Sequence, residues 1–241
     1  MCEYNIPFQK REVTTAILVD GAFYRKRANH YLGKVSPEER AGELADFCYN
    51  LLVDKYENRN LYRIFYYDCP PLNKVIFDPI SNKSIDLGKS DDYKWMVSFL
   101  DELKKYRKFA LRLGRLSENT IEYNLKYEVL KKLLNGSMQV SDIQKSDLTL
   151  NIEQKGVDMR IGIDISSLAY KKQVDQIILI SGDSDFVPAA KQARREGIDF
   201  LLNPLGAPIK KDLLEHTDGL IKTVPSNKQY IKEGKSDGED I

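Results

Sequence analysis

Ile177-Ile178-Leu179-Ile180-Ser181-Gly182-Asp183-Ser184-Asp185-Phe186 is an apolar run that stops abruptly at two carboxylates one residue apart. The block of Ile and Leu predicts a strand buried on both faces, and Gly182-Asp183-Ser184-Asp185 predicts the turn by which that strand leaves its sheet. Ligands of open α/β sheets collect at this edge, beyond the carboxyl ends of the strands. Asp183 and Asp185 then stand close together, where like charges repel unless something positive neutralises them. A hard divalent cation held by oxygen ligands is the simplest candidate. The plainer alternative is that Asp185 only caps a helix running from Phe186 through Arg195.

A similar arrangement occurs near the other end of the chain. Ala16-Ile17-Leu18-Val19 is again a short apolar run ending in a carboxylate, Asp20, followed by Gly21 and a helical pattern. In a doubly wound sheet both strand ends lie on one rim. Gln154-Lys155-Gly156-Val157-Asp158 opens an amphipathic pattern through Val157, Ile161, Ile165 and Leu168, and helices of βα units begin at the same rim. Asp158, in the first turn, is therefore expected to face Asp20, Asp183 and Asp185. Asp164 lies about 9 Å further along the axis and about 120° around it, so it is expected outside the site.

The 241 residues, 42% of them hydrophobic, suffice for one large α/β domain with a proper core. Cys2, Cys48 and Cys69 form no CxxC pair and leave one over, which suggests neither a zinc site nor a disulfide framework and points to a reducing compartment. Residues 1–13 are polar and charged, and no apolar run approaches the roughly 20 residues that span a bilayer. The expectation is a cytoplasmic protein with no membrane partner. With 37 basic and 36 acidic residues the net charge is +1, so any nucleic-acid binding must rest on local patches.

Between these motifs the apolar periods alternate between helix and strand. Phe23–Tyr31 and Pro37–Tyr56 are expected as helices, the second opening on a Ser36 cap with Glu39 in the capping-box position. Leu61–Cys69 is expected as a strand stopped by Pro70-Pro71, and residues 72–90 as an exposed excursion. Asp91–Arg107 predicts a helix, Phe109–Leu116 a strand and Tyr123–Leu134 a weaker helix; Ser137–Ile152 has no clear period. Helix and strand then alternate over Asp158–Lys171, Gln176–Ser181, Phe186–Arg195, Ile198–Leu202 and Ile209–Glu215, with Leu220–Val224 as a candidate last strand. The organisation expected is an N-terminal arm over 1–14, one domain over 15–224 with an insertion around 70–152, and a disordered tail over 225–241.

Val19-Asp20-Gly21, Gln154-Lys155-Gly156-Val157-Asp158-Met159-Arg160-Ile161-Gly162-Ile163-Asp164 and Ser181-Gly182-Asp183-Ser184-Asp185-Phe186-Val187-Pro188 together resemble the NYN domain family, specifically its LabA-like branch. Tyr66-Tyr67-Asp68, Leu113-Gly114-Arg115-Leu116 and Ala193-Arg194-Arg195-Glu196-Gly197 are similar to that branch as well. The resemblance implies a PIN-like (Rossmann-like) α/β fold: a mostly parallel sheet flanked by helices, with carboxylates at one rim binding Mg²⁺ or Mn²⁺ for hydrolysis of phosphodiesters, usually of RNA. Many NYN domains carry Asn three residues after the first Asp. Here that position is Phe23, so a site-shaping amide is missing.

Phosphodiester hydrolysis needs a hydroxide near neutral pH and relief of charge on the phosphoryl oxygens, and a bound divalent cation supplies both. Asp20, Asp158, Asp183 and Asp185 are the expected catalytic and metal-holding residues. Arg25 and Lys155, near the rim, could bind flanking phosphates of single-stranded RNA, and Ser181 and Ser184 could hydrogen-bond to the carboxylates. Lys104-Lys105 and Lys210-Lys211 are expected farther away on solvated faces. Tyr62, Phe65, Tyr66 and Tyr67 could stack on bases, although a strand position favours core packing for alternate members. A haloacid-dehalogenase-type phosphatase would need an acid two residues after Asp20, and Ala22 stands there. A noncatalytic NYN-type module that binds RNA or a protein remains the alternative, and a homo-oligomer stays open.

Overall fold

The computed structural model describes residues 10–226; residues 1–9 of the expected arm, with Cys2, and residues 227–241 of the expected tail lie outside the described residues. In chain order the elements are β1 (Arg11–Asp20), α1 (Gly21–Leu32), α2 (Pro37–Asn50), β2 (Glu57–Asp68), β3 (Val75–Asp78), β4 (Lys83–Asp86), α3 (Asp91–Leu103), β5 (Phe109–Leu113), β6 (Arg115–Leu125), α4 (Tyr127–Leu134), β7 (Leu148–Lys155), α5 (Val157–Tyr170), β8 (Gln176–Ile180), α6 (Val187–Arg195), β9 (Asp199–Asn203), α7 (Lys211–Glu215) and β10 (Gly219–Leu220). The main sheet has the order β10-β9-β8-β1-β2-β5, and every neighbouring pair in it runs parallel. The expected α/β architecture is present.

Burial on both faces explains why β1 and β8 read as unbroken apolar runs. Ala16, Leu18, Ile177 and Leu179 point to one side, where Ile161, Ile165 and Leu168 of α5, Ala190 and Ala193 of α6 and Leu213 of α7 cover them. Ile17, Val19, Ile178 and Ile180 point to the other, under Tyr24 and Ala28 of α1, Leu44 and Phe47 of α2, and Phe99 and Leu103 of α3. Gln176 is the polar exception in β8, wholly buried. Its amide is satisfied by Thr15 at 3.1 Å, Glu57 at 3.0 Å and Asp199 at 2.6 Å, as a buried amide requires. From β1 the chain crosses to β2 on one side, and from β8 to β9 on the other. The rim between β1 and β8 is thus the switch point at which such sheets bind ligands.

Several boundaries differ from the sequence reading for local reasons. The helix expected to reach Tyr56 ends at Asn50, because the Asp54 carboxylate accepts the backbone N–H groups of Tyr56 and Glu57 at 2.8 and 3.1 Å and turns the chain into β2. The excursion over 72–90 contains the hairpin β3–β4, whose turn is held by Asp78 accepting from Ile80 at 3.0 Å. The expected strand Phe109–Leu116 breaks at Gly114, where a side chain would collide with the Lys155 carbonyl and Val157. There β5 leaves the main sheet and β6 begins an antiparallel ribbon with β7. Residues Tyr123–Leu125, expected as helix, belong to that ribbon, and α4 begins only at Tyr127.

Candidate active site

Asp20 ends β1 and caps α1. Its Oδ1 accepts from the Phe23 N–H at 3.1 Å, and its Oδ2 accepts from the Ser181 hydroxyl at 3.1 Å. Ser181, fully buried at the end of β8, also accepts from the Asp183 N–H at 3.3 Å. One hydroxyl therefore ties the ends of β1 and β8 to the turn that carries the next two acids. Gly21 is needed for a steric reason: a Cβ there would run into the Tyr66 phenol and the Asp68 carboxylate.

Asp183 caps the single 3-10 turn Ser184–Phe186 by accepting from the Asp185 N–H at 3.0 Å. The alternative reading of Asp185 as a helix cap is corrected: α6 follows Phe186 with no side-chain cap. Gly156, in the left-handed region at φ 80°, turns the chain from β7 into α5, and Asp158 sits in the first turn. Burial, then the charges of Asp158 and Asp183, push the Asp20 carboxyl above the usual carboxylate range, against the lowering effect of its two hydrogen bonds. Partial burial, then Asp183 and Asp185, push Asp158 up in the same way. The four acids thus feel one another across the rim. Among the described residues, however, no three His, Cys, Asp or Glu side chains stand close enough to hold one ion jointly.

The expected contact residues are disposed unequally. Ser184 accepts from Lys210 Nζ at 3.0 Å, and Lys155 pairs with Glu153 at 3.3 Å. Arg25 forms an ion pair with Asp68 and donates to the Tyr66 hydroxyl at 3.0 Å, while Tyr66 donates to Asp68 at 2.8 Å. Burial pushes the Tyr66 phenol up to about 12, which keeps it a donor. Asp164 lies apart from the four acids, accepting from Tyr67 at 2.9 Å and pairing with Arg112 at 3.1 Å. Phe65, Tyr66 and Tyr67 are core residues, so of the aromatic group only the half-buried Tyr62 retains an accessible ring. The Phe23 ring lies against Gly182, within 3.1 Å of where a Cβ would stand. His30 packs edge-on against Tyr31, and His216 closes α7 and lines an open cavity together with Arg11 and Asp175, which begin or precede their strands at the rim opposite the acids.

Two rim residues were named in the sequence reading but not assigned to the site. Asp68 is a 1% exposed carboxylate at the end of β2, and a strand-ending Asp was the available signal, shared with Asp20. Lys210, expected to be remote, lies beside the Asp183–Asp185 turn, and nothing in its local sequence marks it.

The NYN domain family model matches residues 92–223, which includes Asp158, Asp183 and Asp185 and begins after Asp20. No curated protein gives a significant match. Among solved structures, a protein of unknown function from Vibrio parahaemolyticus is 16% identical, with 88% of this chain and 94% of that chain covered and a TM-score of 0.46.

Proposed function

Because the chain belongs to the NYN domain family, we propose that it is a divalent-metal-dependent ribonuclease of the LabA-like branch, acting on single-stranded RNA through Asp20, Asp158, Asp183 and Asp185. The observation that carries the reading is the mutual repulsion of carboxylates along one rim: burial, then Asp158 and Asp183, raise Asp20, and partial burial, then Asp183 and Asp185, raise Asp158. Asp158, Asp183 and Asp185 stay open to solvent, and among the described residues no basic side chain forms an ion pair with any of the four. Like charges gathered at one rim repel one another, and a bound cation relieves that repulsion. The all-oxygen donor set suits Mg²⁺ or Mn²⁺, and Mg²⁺ keeps several waters, so one or two direct carboxylates suffice with the others acting through water.

When bound, the ion supplies an activated water and offsets charge on the phosphoryl oxygens. Ser181 fixes the Asp20 carboxylate against the end of β8. Asp158 completes the acidic set or orients the attacking water. Arg25 neutralises Asp68, so that Asp68 does not add a fifth free charge, while Lys155 and Ser184 with its partner Lys210 flank the acids where RNA phosphates would pass. The proposed domain is 15–224, with the insertion around 70–152. None of the described helices is long and apolar enough to cross a membrane, in keeping with the cytoplasmic location we propose.

The test is cleavage of end-labelled single-stranded RNA with Mg²⁺ or Mn²⁺. Products bearing 5′-phosphates, lost in chelator and in Asp20→Asn and Asp185→Asn, are expected, because water rather than the ribose 2′-hydroxyl attacks phosphorus. Cleavage that persists in chelator, or 2′,3′-cyclic phosphate ends, would exclude the mechanism. The Phe23 ring over Gly182, at the position of the common Asn, favours the second reading, a noncatalytic module that binds RNA or protein. RNA binding without cleavage under every metal condition is the outcome that would establish it.

A further inference from the structure

Helix α5 is apolar on two opposite faces. Val157, Ile161, Ile165 and Leu168 face the core, while Met159, Ile163 and Tyr170 are 71%, 58% and 73% exposed. At 100° per residue those three project within about 40° of one another. Ser166 extends the stripe, and its hydroxyl is bonded back to the Gly162 carbonyl at 2.9 Å, so it presents little polar demand outward. A helix of a soluble domain normally shows polar residues on its outer face. The spacing 159, 163, 166, 170 is that of a coiled-coil seam.

The same spacing of four, three and four reads identically in both directions. An antiparallel copy would bring Met159 of each chain against Tyr170 of the other and Ile163 against Ser166: large against large at the ends, large against small at the centre. Thioether against aromatic ring is itself a favourable contact. Charge follows the same two-fold pattern. The amino end of α5 lies at the rim of Asp20, Asp158, Asp183 and Asp185, while its carboxyl end is followed by Lys171 and Lys172, both exposed and without ion-pair partners among the described residues. Antiparallel packing sets each acidic end opposite a basic one and opposes the two helix dipoles. We infer that this face is covered by a second copy of the chain in a two-fold symmetric dimer built on α5 against α5. From Met159 to Tyr170 the seam runs about 17 Å at 1.5 Å per residue, a contact at the small end of specific interfaces, where association is weak and reversible.

Sedimentation of the full chain from about 1 to 100 µM tests this. Reversible dimerisation is expected, with Ile163→Arg weakening it at least tenfold while its melting temperature matches the wild type at concentrations below the dissociation constant, where no dimer contributes to stability. Under mild oxidation, mixing Met159→Cys with Tyr170→Cys protein should give a cross-linked dimer that neither variant forms alone. A chain monomeric throughout would overturn the inference and leave the stripe to a different protein. A dimer indifferent to Ile163→Arg, or Met159→Cys cross-linking to itself, would equally overturn it.

Discussion

Lys210 and Ser184 meet at the rim of the sheet, Nζ donating to Oγ at 3.0 Å, and this contact sets a cation beside a turn that otherwise carries only acids. Lys210 forms no ion pair with Asp183 or Asp185, and its ammonium retains two further donors. An RNA phosphate crossing the rim can take them. In an Asp20→Asn background that binds without cutting, Lys210→Ala should weaken single-stranded RNA binding about fivefold, the equivalent of roughly 1 kcal/mol for an exposed charge, with no change in melting temperature. Equal affinity in fluorescence anisotropy would remove Lys210 from the substrate path.

Arg25 answers to a different measurement. Its partner Asp68 is 1% exposed and Arg25 itself 23%, so truncation leaves a buried carboxylate with only Tyr66 and the Cys69 N–H to satisfy it. Breaking such a pair costs about 3–5 kcal/mol. Arg25→Ala should therefore lower the melting temperature by at least about 6 °C for a chain of this size. An unchanged melting curve with weakened RNA binding would mean that Arg25 serves the substrate and not the fold.

Gly21→Ala probes the same corner from the backbone side. The added methyl meets Tyr66 and Asp68, which are locked together and cannot retreat without breaking the Arg25 pair. Overpacking of this kind costs about 1–3 kcal/mol, to be read as a lower urea midpoint at unchanged slope. An unshifted midpoint would show that the Tyr66 ring can move aside.

What the sequence made legible, and what it did not, follows from how far each signal travels along the chain. β1 and β8 are covered on both faces, so their residues had to be apolar in succession, and the acids that end them stood out. Asp158 was readable because the core face of α5 has a clean helical period. The β6–β7 ribbon was not, since it pairs Leu125 with Leu148 across α4 and its register shifts between Leu116 and Ile121. Asp68 hides because its partner Arg25 lies on another element. Lys210 reaches the rim through the turn at Pro204–Ala207, where Leu205 takes φ 48° and its carbonyl accepts from Arg27 at 3.0 Å and Tyr31 at 3.2 Å. Arg27, two residues beyond Arg25 in the run Arg25-Lys26-Arg27, is thereby committed to that turn.

The raised carboxyls give a pH dependence of definite sign. A carboxyl whose folded value lies above its unfolded one binds more protons in the folded state, so stability falls as pH rises from the unfolded value of about 3.9 through the folded one and stays low above it. In chelator, Asp20→Asn removes one raised carboxyl and relieves Asp158, while Asn can still cap α1. The variant should melt above the wild type at pH 7, and the gap should close as pH falls towards 4. A gap independent of pH would mean that lost repulsion is not its source.

Metal and Asp183 can be separated from activity altogether. Ions that bind only the folded state stabilise it by about 2.7 kcal/mol at a hundredfold excess over the dissociation constant, so Mg²⁺ or Mn²⁺ should raise the wild-type melting temperature by about 5–10 °C. Asn at position 183 can still accept from the Asp185 N–H and keep the turn, yet it removes a charge that presses on both Asp20 and Asp158. In chelator the Asp183→Asn protein should therefore melt at or above the wild type, and in saturating metal below it. This reversal of order distinguishes a lost ligand from a damaged fold, which would melt lower under both conditions. An identical metal-induced shift in the two proteins would take Asp183 out of the metal site, whatever the cleavage assay shows.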